Sequence, residues 1–526
     1  MSTPDRPHRR GQAREAKRRE RADGPERVKA PIRPGLRGGA YRPLTDDEVT
    51  RVCDGAFDVL ARVGVADPVP RLLEAALDAG AELNDAGRLC LPRPLMEALI
   101  DGAAKDFTLH GRDPRHDLDI SGDRVHFGTG GAAVSVFDHR SDTYRPSTLV
   151  DLYDFTRLAD QLANVHWFTR CVIATDLPDP YDLDINTAYC LLAATTKHVG
   201  TAITVPENVK PVVEMFDIAA GGRGQFARRP FCKLHSSPIV PPLRYGADAC
   251  ETLISAVEAG MPINAITAGQ AGATSPAPLA GTLVITTAET LASLALVNLI
   301  RAGHPMIFSN WPFVSDLRTG SMVGGSAETA VLNAAAAQVA KRFGLPCGVA
   351  AGMADSKLPD AQTGYEKGIT TVLAGTAGAN LVYESSGMLA SLLGASFEQF
   401  VIDDELLGYA LRAVRGVEVT EKTLALDVIE SVCFGEGHFL GTAQTLSMMQ
   451  TEYLYPNIGD RSTPEEWESK GAPDVRTVAQ RRLGELMQHH PMYLTVEQDA
   501  EIRGRFPIVL DPRDMTPARH RRTESA

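Results

Sequence analysis

Short apolar runs alternate with longer helical patterns over most of this chain. Seven runs read as buried strands, namely VHWFTRCVIA, GTAITV, FCKLHSS, PINAITA, PMIFSN, LPCGVAA and ANLVYES. Each is followed by apolar residues at helical spacing, as in AETAVLNAAAAQVAKRFG, where a glycine ends the helix before the next strand. An eighth strand is expected either in Phe127–Phe137 or in the segment CFGEGHFL. The repeats predict an α/β protein with a closed (β/α)8 TIM barrel, and a doubly wound sheet is the alternative.

The pattern before these repeats is different. Thr45–Lys105 reads as helical, with a threonine cap and early acidic residues, and Phe107–Tyr144 reads as short strands and turns. We therefore predict an N-terminal helical and small β extension in front of the barrel. The predicted domains are a disordered basic tail at 1–40, the extension at 41–146, the barrel at 147–505 and a tail at 506–526.

Charge and cysteine usage narrow the class of protein. The chain of 526 residues carries a net charge of −13, but residues 1–39 hold 12 Lys and Arg against 5 Asp and Glu. The remainder therefore carries −20, which argues against a nucleic-acid-binding body. Eight cysteines without any CxxC pair favour free thiols in a reducing compartment. The apolar stretch Leu291–Ile300 is shorter than the ~20 residues of a membrane span, so a cytoplasmic protein without a membrane partner is expected.

Polar residues gather where the predicted strands end. In a barrel of this kind the active site lies at the carboxyl ends of the strands. The segment GMADSKLPDAQTGYEK, Gly352–Lys367, reads as such a loop plus the first turns of a helix, on which Gln362 and Glu366 share a face. The alternative is that Asp360 caps this helix and Glu366 faces solvent. The predicted catalytic residues are Asp355, Asp360, Gln362 and Glu384.

Familiar cofactor motifs are absent from the sequence. No HExxH and no paired Cys/His spacing occurs, so zinc is unsupported, although the distant His235 and His438 could meet in space. No GxSxG elbow occurs either. The stretch FGTGG, Phe127–Gly131, is neither a P-loop nor a GxGxxG motif, and it reads as a turn or a point of close approach. No metal and no tightly bound cofactor are expected.

Five blocks of sequence together resemble the trimethylamine methyltransferase family. They are AGATSPAPLAGTLVITTAETLA, WPFVSDLRTGSMVGGSAE, GMADSKLPDAQTGYEK, GHFLGTAQTLSMMQTEYLYP and DRSTPEEWESKG. The resemblance runs from about Thr45 to Arg505 and implies a (β/α)8 barrel. It also implies methyl transfer from a methylated amine to the cobalt of a corrinoid (cobalamin) on a partner protein, as in methanogenesis-type one-carbon metabolism. Archaeal trimethylamine enzymes of the family use pyrrolysine, whereas every position here is an ordinary residue. The chain therefore resembles the glycine betaine and quaternary amine:corrinoid methyltransferases.

The resemblance gives the polar and aromatic candidates their expected roles. A quaternary ammonium has no N–H and is held by carboxylates and aromatic faces, each cation–π contact being worth ~0.5–2 kcal/mol. The expected cage residues are Trp311, Phe313, Tyr365 and Tyr383, with Asp355, Asp360 and Glu384 as counter-charges. For Phe313 and Tyr383, ordinary core packing is the alternative.

A betaine substrate would also need donors for its carboxylate. The candidates are Lys357, His235, Gln270 and Arg318, and His438 is a further expected substrate contact. Gly128, Thr129 and Gly130 are the expected cofactor-facing residues. The expected partners are a corrinoid protein, a small methylated amine and a second copy of the chain in a homo-oligomer.

Two other functions stay open from the sequence. One is a Schiff-base barrel lyase, an aldolase or decarboxylase that uses Lys357 or Lys233. The other is a catalytically silent binder of quaternary amines or of a corrinoid protein.

Overall fold

The computed structural model describes residues 30–515, which form two compact units. The larger unit comprises Pro34–Gly416 and 456–515, and the smaller comprises 30–33 and Val417–Tyr455. Most of both predicted tails lies outside the described residues. The domain limits drawn from the sequence stay predictions.

Eight parallel strands form the central sheet of the larger unit. Six of them lie within the apolar runs, and a seventh, His198–Thr201, begins two residues before the run GTAITV. The eighth lies just before Gly128, inside the region predicted as extension. The strands, labelled β1 to β8 in chain order, are Arg124–Phe127, Trp167–Thr169, His198–Thr201, Cys232–Ser236, Ile263–Thr267, Met306–Asn310, Cys347–Ala350 and Leu381–Tyr383.

The sheet is curled and its strands follow one another in chain order. The spatial order is β1, β8, β7, β6, β5, β4, β3 and β2, and Leu36–Arg37 adds an antiparallel edge to β1. At the junction of β1 and β2, Gly128 pairs with Trp167 in an isolated parallel bridge. The His166 N–H also donates to the Phe127 carbonyl at 2.8 Å. The protein is thus an α/β fold built on a curled, mostly parallel sheet.

A helix follows each central strand, which is the arrangement that the apolar patterns predict. Side-chain caps begin several of these helices, for example Thr148 in a capping box and Ser326 and Ser396 as single caps. The helices, labelled α1 to α8, are Leu149–Gln161, Pro180–Ala194, Val209–Ala219, Ala247–Glu258, Leu279–Ile300, Ala327–Arg342, Ala361–Thr376 and Phe397–Arg415.

Helix α5 is apolar on every face and lies inside the fold. It has 22 residues, longer than the apolar stretch noted in the sequence, and by length and composition alone it could cross a membrane. However, 78% of its most apolar window is buried. A helix that is hydrophobic all round is expected in the core of a large protein. The N-terminal helix Asp46–Arg62 packs on α5 where Gly55 meets Val284.

The remaining elements decorate this core. The extension contains the helices Asp46–Arg62, Pro70–Asp78 and Arg93–Gly102, with the short pairs Glu82–Leu83 with Leu89–Cys90 and Thr108–Leu109 with Leu118–Asp119. Small sheets also join Ser135–Asp138 and Thr143–Pro146 to Met388–Leu389 and Gly394–Ser396, Ile239–Val240 to Arg244–Tyr245, and Gln270–Ala271 to Phe313–Ser315 and Met322–Val323. The C-terminal helices of the larger unit are Pro464–Ser469, Val475–Leu486 and Val496–Arg505, and the smaller unit has Glu421–Leu424, Leu426–Cys433 and Ala443–Met448.

Candidate active site

A cavity of about 500 Å³ lies at the carboxyl edge of the central sheet. Its wall is made mainly by residues that directly follow strands β2, β4, β5, β6 and β8. The lining includes five residues predicted from the sequence, His235, Gln270, Trp311, Phe313 and Glu384, together with Arg170, Ile266 and Met322. Because the carboxyl ends of parallel strands meet at one edge, residues distant in sequence converge here.

Two rings of the cavity lining, Trp311 and His235, contact the buried ring of Tyr383, and we call these three rings the aromatic cluster. The Trp311 and Tyr383 ring centroids are 5.1 Å apart, and the His235 ring lies 5.5 Å from Trp311 and 5.6 Å from Tyr383. All three pairs are tilted rather than stacked. Aromatic faces carry negative potential, so such a group can hold a cation that offers no N–H.

His235 contributes a neutral ring to the aromatic cluster. The Asn264 amide donates to its Nδ1 at 2.9 Å, and the Asn264 carbonyl oxygen accepts from the Ser309 hydroxyl. Burial, with Lys233 and Arg170 nearby, holds the His235 pKa well below its usual value of 6.5. The ring therefore adds no positive charge to the cavity at neutral pH.

Glu384 is a buried carboxylate without a partner. Its side chain is fully buried, and neither oxygen accepts a hydrogen bond from any residue in the described range. Burial raises its pKa from 4.5 to about 8, with Lys367 acting in the opposite direction. Its backbone has φ 62°, a left-handed conformation that costs a non-glycine residue about 1–3 kcal/mol. Such strain, in a residue whose buried carboxyl group also lacks a hydrogen-bond partner, points to a function rather than to stability.

The glycine-rich stretch after β1 makes room for these side chains. A Cβ atom at Gly130 or at Gly131 would lie 2.8 Å from a Glu384 oxygen, and one at Gly128 would lie 2.2 Å from the Trp167 ring. The Thr129 hydroxyl donates to the Thr169 carbonyl at 2.5 Å. The predicted cofactor-facing role of Gly128, Thr129 and Gly130 stays a prediction, and their present contacts are with the site itself.

Lys233 lies among aromatic rings with no hydrogen-bond partner. Its Nζ is 5.6 Å from the Trp167 ring centroid and 5.5 Å from that of Tyr383. No group in residues 30–515 bonds to this amine, and burial lowers its pKa to about 7. Lys233 thus has a substantial neutral fraction at neutral pH, although it is not among the residues that line the cavity.

The segment that begins at Gly352 is held by its own polar side chains. Asp355 accepts from the backbone N–H groups of Gly324 at 2.9 Å and Gly325 at 3.1 Å, and from the Ser391 hydroxyl at 2.6 Å. Asp360 caps helix α7 by accepting from the Thr363 N–H at 3.0 Å. These contacts tie the loop to its neighbours. The catalytic role of Asp355 and Asp360 stays a prediction, since neither is among the lining residues.

Glu366, Gln362 and Lys357 also form hydrogen bonds within this segment. Glu366 is buried and accepts from the Asp355 N–H at 2.7 Å and from the Gln362 amide at 2.8 Å. Lys357 donates to the Asp355 carbonyl at 2.6 Å, and the Tyr365 side chain is exposed. Of the two sequence alternatives, Asp360 does form the cap, whereas Glu366 is turned inward rather than to solvent.

Two further candidates are placed elsewhere. Arg318 is exposed and pairs with Asp316 at 2.8 Å. His438 belongs to the smaller unit. The structure therefore brings together His235, Gln270, Trp311, Phe313, Tyr383 and Glu384, and it does not bring Asp355, Asp360, Gln362, Lys357, Tyr365 or Arg318 into the cavity lining.

Sequence reasoning missed Arg170 and Trp167. Both lie in the run VHWFTRCVIA, whose apolar pattern predicts one strand through Ala174. The strand ends at Thr169, and Arg170 is the next residue. The signal in the sequence is an arginine inside an apolar run, because arginine is rarely fully buried unless its charge is paired.

The cysteines and potential metal ligands add little to the site. The eight cysteines are free, and all but Cys433 are buried. Across residues 30–515, no group of three or more His, Cys, Asp or Glu is placed to hold a metal ion.

We compared the chain with protein families, with curated proteins and with solved structures. The family model described as trimethylamine methyltransferase (MTTB) matches residues 8–503. Trimethylamine methyltransferase MttB of Desulfitobacterium hafniense is 31% identical over 456 residues, covering 86% of this chain and 91% of that protein. Glycine betaine methyltransferase of the same species is 30% identical over 466 residues, covering 88% and 96%. The crystal structure of Methanosarcina barkeri monomethylamine methyltransferase superimposes with a TM-score of 0.47 at 14% identity, covering 90% and 92%.

Proposed function

Because the chain belongs to the trimethylamine methyltransferase family, we propose that it moves a methyl group from a quaternary methylated amine to the corrinoid cobalt of a partner protein. The observation that carries this proposal is the unpaired carboxylate of Glu384 beside the aromatic cluster. A buried carboxyl group that ionises when a cation binds, next to aromatic faces, is suited to a permanent cation.

The proposed methyl transfer requires no general acid or base from the protein. Co(I) supplies an electron pair that forms the cobalt–methyl bond, while the nitrogen–methyl bond breaks and a neutral tertiary amine leaves. The nitrogen keeps its bonding electrons, so no general acid is needed. The tasks left to this chain are to bind the ammonium, to aim one methyl group outwards and to exclude water.

The site residues divide these tasks. Trp311 and the neutral His235 offer aromatic surface to the methyl groups, the buried Tyr383 ring supports both, and Glu384 supplies the counter-charge. Phe313 and Ile266 close the wall with apolar surface. The corrinoid protein would then approach from the open side of the cavity.

We further infer that the central sheet is a closed (β/α)8 barrel. The bridge between Gly128 and Trp167 and the hydrogen bond between His166 and Phe127 support closure between β1 and β2. The strand order, which runs once around the sheet in sequence order, supports it as well. A cytoplasmic location and a homo-oligomer stay predictions.

A turnover assay tests the proposed function. The purified chain is supplied with cob(I)alamin and separately with glycine betaine, proline betaine, carnitine, choline and trimethylamine, and methylcobalamin is followed by its absorbance. We expect methyl transfer from at least one quaternary amine. Activity on trimethylamine alone would contradict the quaternary substrate. Binding without turnover across the whole panel would favour a silent binder.

Lys233 supports a second candidate function, that of a Schiff-base lyase. An amine with a pKa of about 7 is a competent nucleophile near neutral pH. Its place beneath the Trp167 and Tyr383 rings, outside the cavity lining, argues against easy contact with a carbonyl substrate. Borohydride trapping with a panel of aldehydes and 2-oxo acids tests this function, because only a lysine imine is trapped.

A further inference from the structure

We propose that Arg170 binds the carboxylate of the substrate, so that the site selects zwitterionic methylated amines of the betaine class over simple cations. This inference rests on the proposed function and specifies its substrate. It assigns the role to a residue that is distinct from the sequence candidates Lys357, Gln270, His235 and Arg318.

Arg170 is anchored by its backbone at the cavity wall. It is the first residue after β2, and its N–H donates to the Gly200 carbonyl of β3 at 3.1 Å. Its side chain lines the same cavity as Trp311 and Glu384. The position is therefore set by the sheet rather than by a mobile loop, which suits a group that must orient a ligand.

The guanidinium has no ionic partner of its own. Its Nε is buried and unbonded, and no carboxylate in residues 30–515 forms an ion pair with it. Asp184 attracts it from a distance, but the Asp184 oxygens are already occupied by the Thr204 hydroxyl and backbone N–H and by the Asn208 amide, each at 2.8 Å. Arginine stays charged in proteins, so this positive charge awaits a partner.

The cavity thus presents two ionisable groups without a partner, the guanidinium of Arg170 and the carboxyl group of Glu384, which a bound cation would ionise. Arg170 and Glu384 both line it, yet they do not pair with each other. A ligand with a single positive charge would satisfy Glu384 and leave Arg170 unpaired, and would itself be repelled by Arg170. A zwitterion satisfies both, because its ammonium reaches Glu384 and the aromatic cluster while its carboxylate accepts two N–H bonds from the guanidinium.

Matched ligands and variants test the assignment. The ligands are glycine betaine, carnitine and γ-butyrobetaine, each compared with its methyl ester, which keeps the ammonium and removes the negative charge. The proteins are the wild type, Arg170→Met, Arg170→Lys and Arg71→Met. Arg71 is an exposed arginine paired with Glu258 and serves as the control. Binding is measured by calorimetry, and methyl transfer by formation of methylcobalamin.

The expected result is a change of preference that depends on Arg170. The wild type should bind at least one betaine more tightly than its ester. Arg170→Met should weaken that betaine by roughly 10- to 100-fold, the range of a charged hydrogen bond, and change the ester by less than about threefold. Arg170→Lys should recover part of the loss, and Arg71→Met should resemble the wild type. The melting temperature of free Arg170→Met should be equal or higher, because a half-buried charge without an ion-pair partner has been removed.

Several outcomes would overturn the assignment. Equal binding of betaines and esters by the wild type would do so, as would equal losses for both in Arg170→Met. So would a lower melting temperature together with unchanged ligand preference, which would make Arg170 structural. The binding measurements test the role of Arg170, whereas the turnover measurements test the proposed reaction. Betaine binding that depends on Arg170 without any methylcobalamin would uphold this inference while rejecting the proposed reaction, and turnover restricted to esters or choline would do the reverse.

Discussion

At the scale of single residues, Glu384 is both a strained residue of the site and one well suited to bind a ligand. It combines a left-handed backbone, full burial and two unbonded oxygens. The absence of a Cβ atom at Gly130 and Gly131 leaves space for the carboxyl group. A residue that satisfies none of its own bonding needs in the free protein is expected to satisfy them with a ligand.

Replacing Glu384 by glutamine should separate binding from stability. The amide keeps the shape and removes the charge, so kcat/KM for a cationic substrate should fall by about two orders of magnitude, since losing one partner of a buried charge pair costs about 2–5 kcal/mol. The melting temperature should not fall. Glu258→Gln, at an exposed position, is the control. A variant with unchanged kcat/KM would show that Glu384 does not meet the substrate.

Substrate binding should strengthen as pH rises towards 8. The Glu384 pKa is about 8 in the free protein, and a bound cation favours the ionised carboxylate, so affinity should rise up to tenfold per pH unit below that value and level off above it. Lys233, with a pKa of about 7, gains a positive charge below pH 7 and adds to the trend, whereas His235 stays neutral. Calorimetry from pH 6 to 9 measures the slope. Glu384→Gln should remove the part between pH 7 and 8, and a flat wild-type profile would contradict the assignment.

The raised pKa of Glu384 should also make the free energy of unfolding depend on pH. The folded pKa of Glu384 is raised above 4.5, so between pH 4.5 and about 8 the native protein keeps a proton that the unfolded chain has lost. This contribution to the free energy of unfolding is therefore lost as pH rises through that window. Urea unfolding at pH 5 and pH 8 should show a smaller decrease in Glu384→Gln than in the wild type.

At the scale of elements, the loop before helix α7 shows a structural role that clustered polar residues can have. Asp355, Asp360, Gln362 and Glu366 are polar residues in an apolar context, which is also what an active site looks like in sequence. In the structure Glu366 accepts from the Asp355 N–H and the Gln362 amide. Asp355 and Asp360 accept from backbone N–H groups outside this set, and together these contacts hold the loop before α7. Sequence spacing cannot separate a carboxylate that accepts from the backbone from one that waits for a ligand, because the difference lies in tertiary contacts.

Removing the α7 cap tests whether Asp360 is structural. Asp360→Ala should lower the free energy of unfolding by about 0.5–2 kcal/mol, as expected for an N-cap, and leave kcat/KM within about threefold. Asp360→Asn should keep most of the stability because its side-chain oxygen can still accept from the Thr363 N–H. Chemical unfolding and turnover are measured on both variants. Normal stability with lost turnover in Asp360→Ala would restore the catalytic role.

The strands were more predictable than the site for a physical reason. Buried parallel strands are covered on both faces and read as continuous apolar runs, so seven of eight were visible in the sequence. The ends of the strands are harder to predict. The apolar run continues past the end of β2 at Thr169, so the sequence does not show that Arg170 follows the strand. The first strand, Arg124–Phe127, begins before Phe127–Phe137, one of the two segments in which the sequence predicts an eighth strand. Its charged first residue and its histidine break the apolar pattern.

At the scale of the whole molecule, the two units differ in how they bury their apolar residues. The larger unit encloses α5, whose middle turns are almost entirely buried. The smaller unit leaves many large apolar side chains exposed, among them Val417, Leu426, Phe434 and Leu440. Val432 is its buried apolar residue among those described. Local stability follows the number of buried apolar contacts, so the two units should open with different free energies.

Hydrogen exchange should reveal this difference directly. Amides of Leu426–Cys433 and Ala443–Met448 should exchange much faster than those of α5, because helices this short are marginal without packing on an apolar core. The experiment follows deuterium uptake by mass spectrometry at a low protein concentration, with α5 as the internal reference. The wild type is then measured at a concentration about 100-fold higher. Unchanged fast exchange would agree with weak local packing alone, and slowing confined to these helices would indicate that another copy of the chain covers them, as the predicted homo-oligomer requires. Protection equal to that of α5 at the lowest concentration would contradict the low stability expected of the smaller unit.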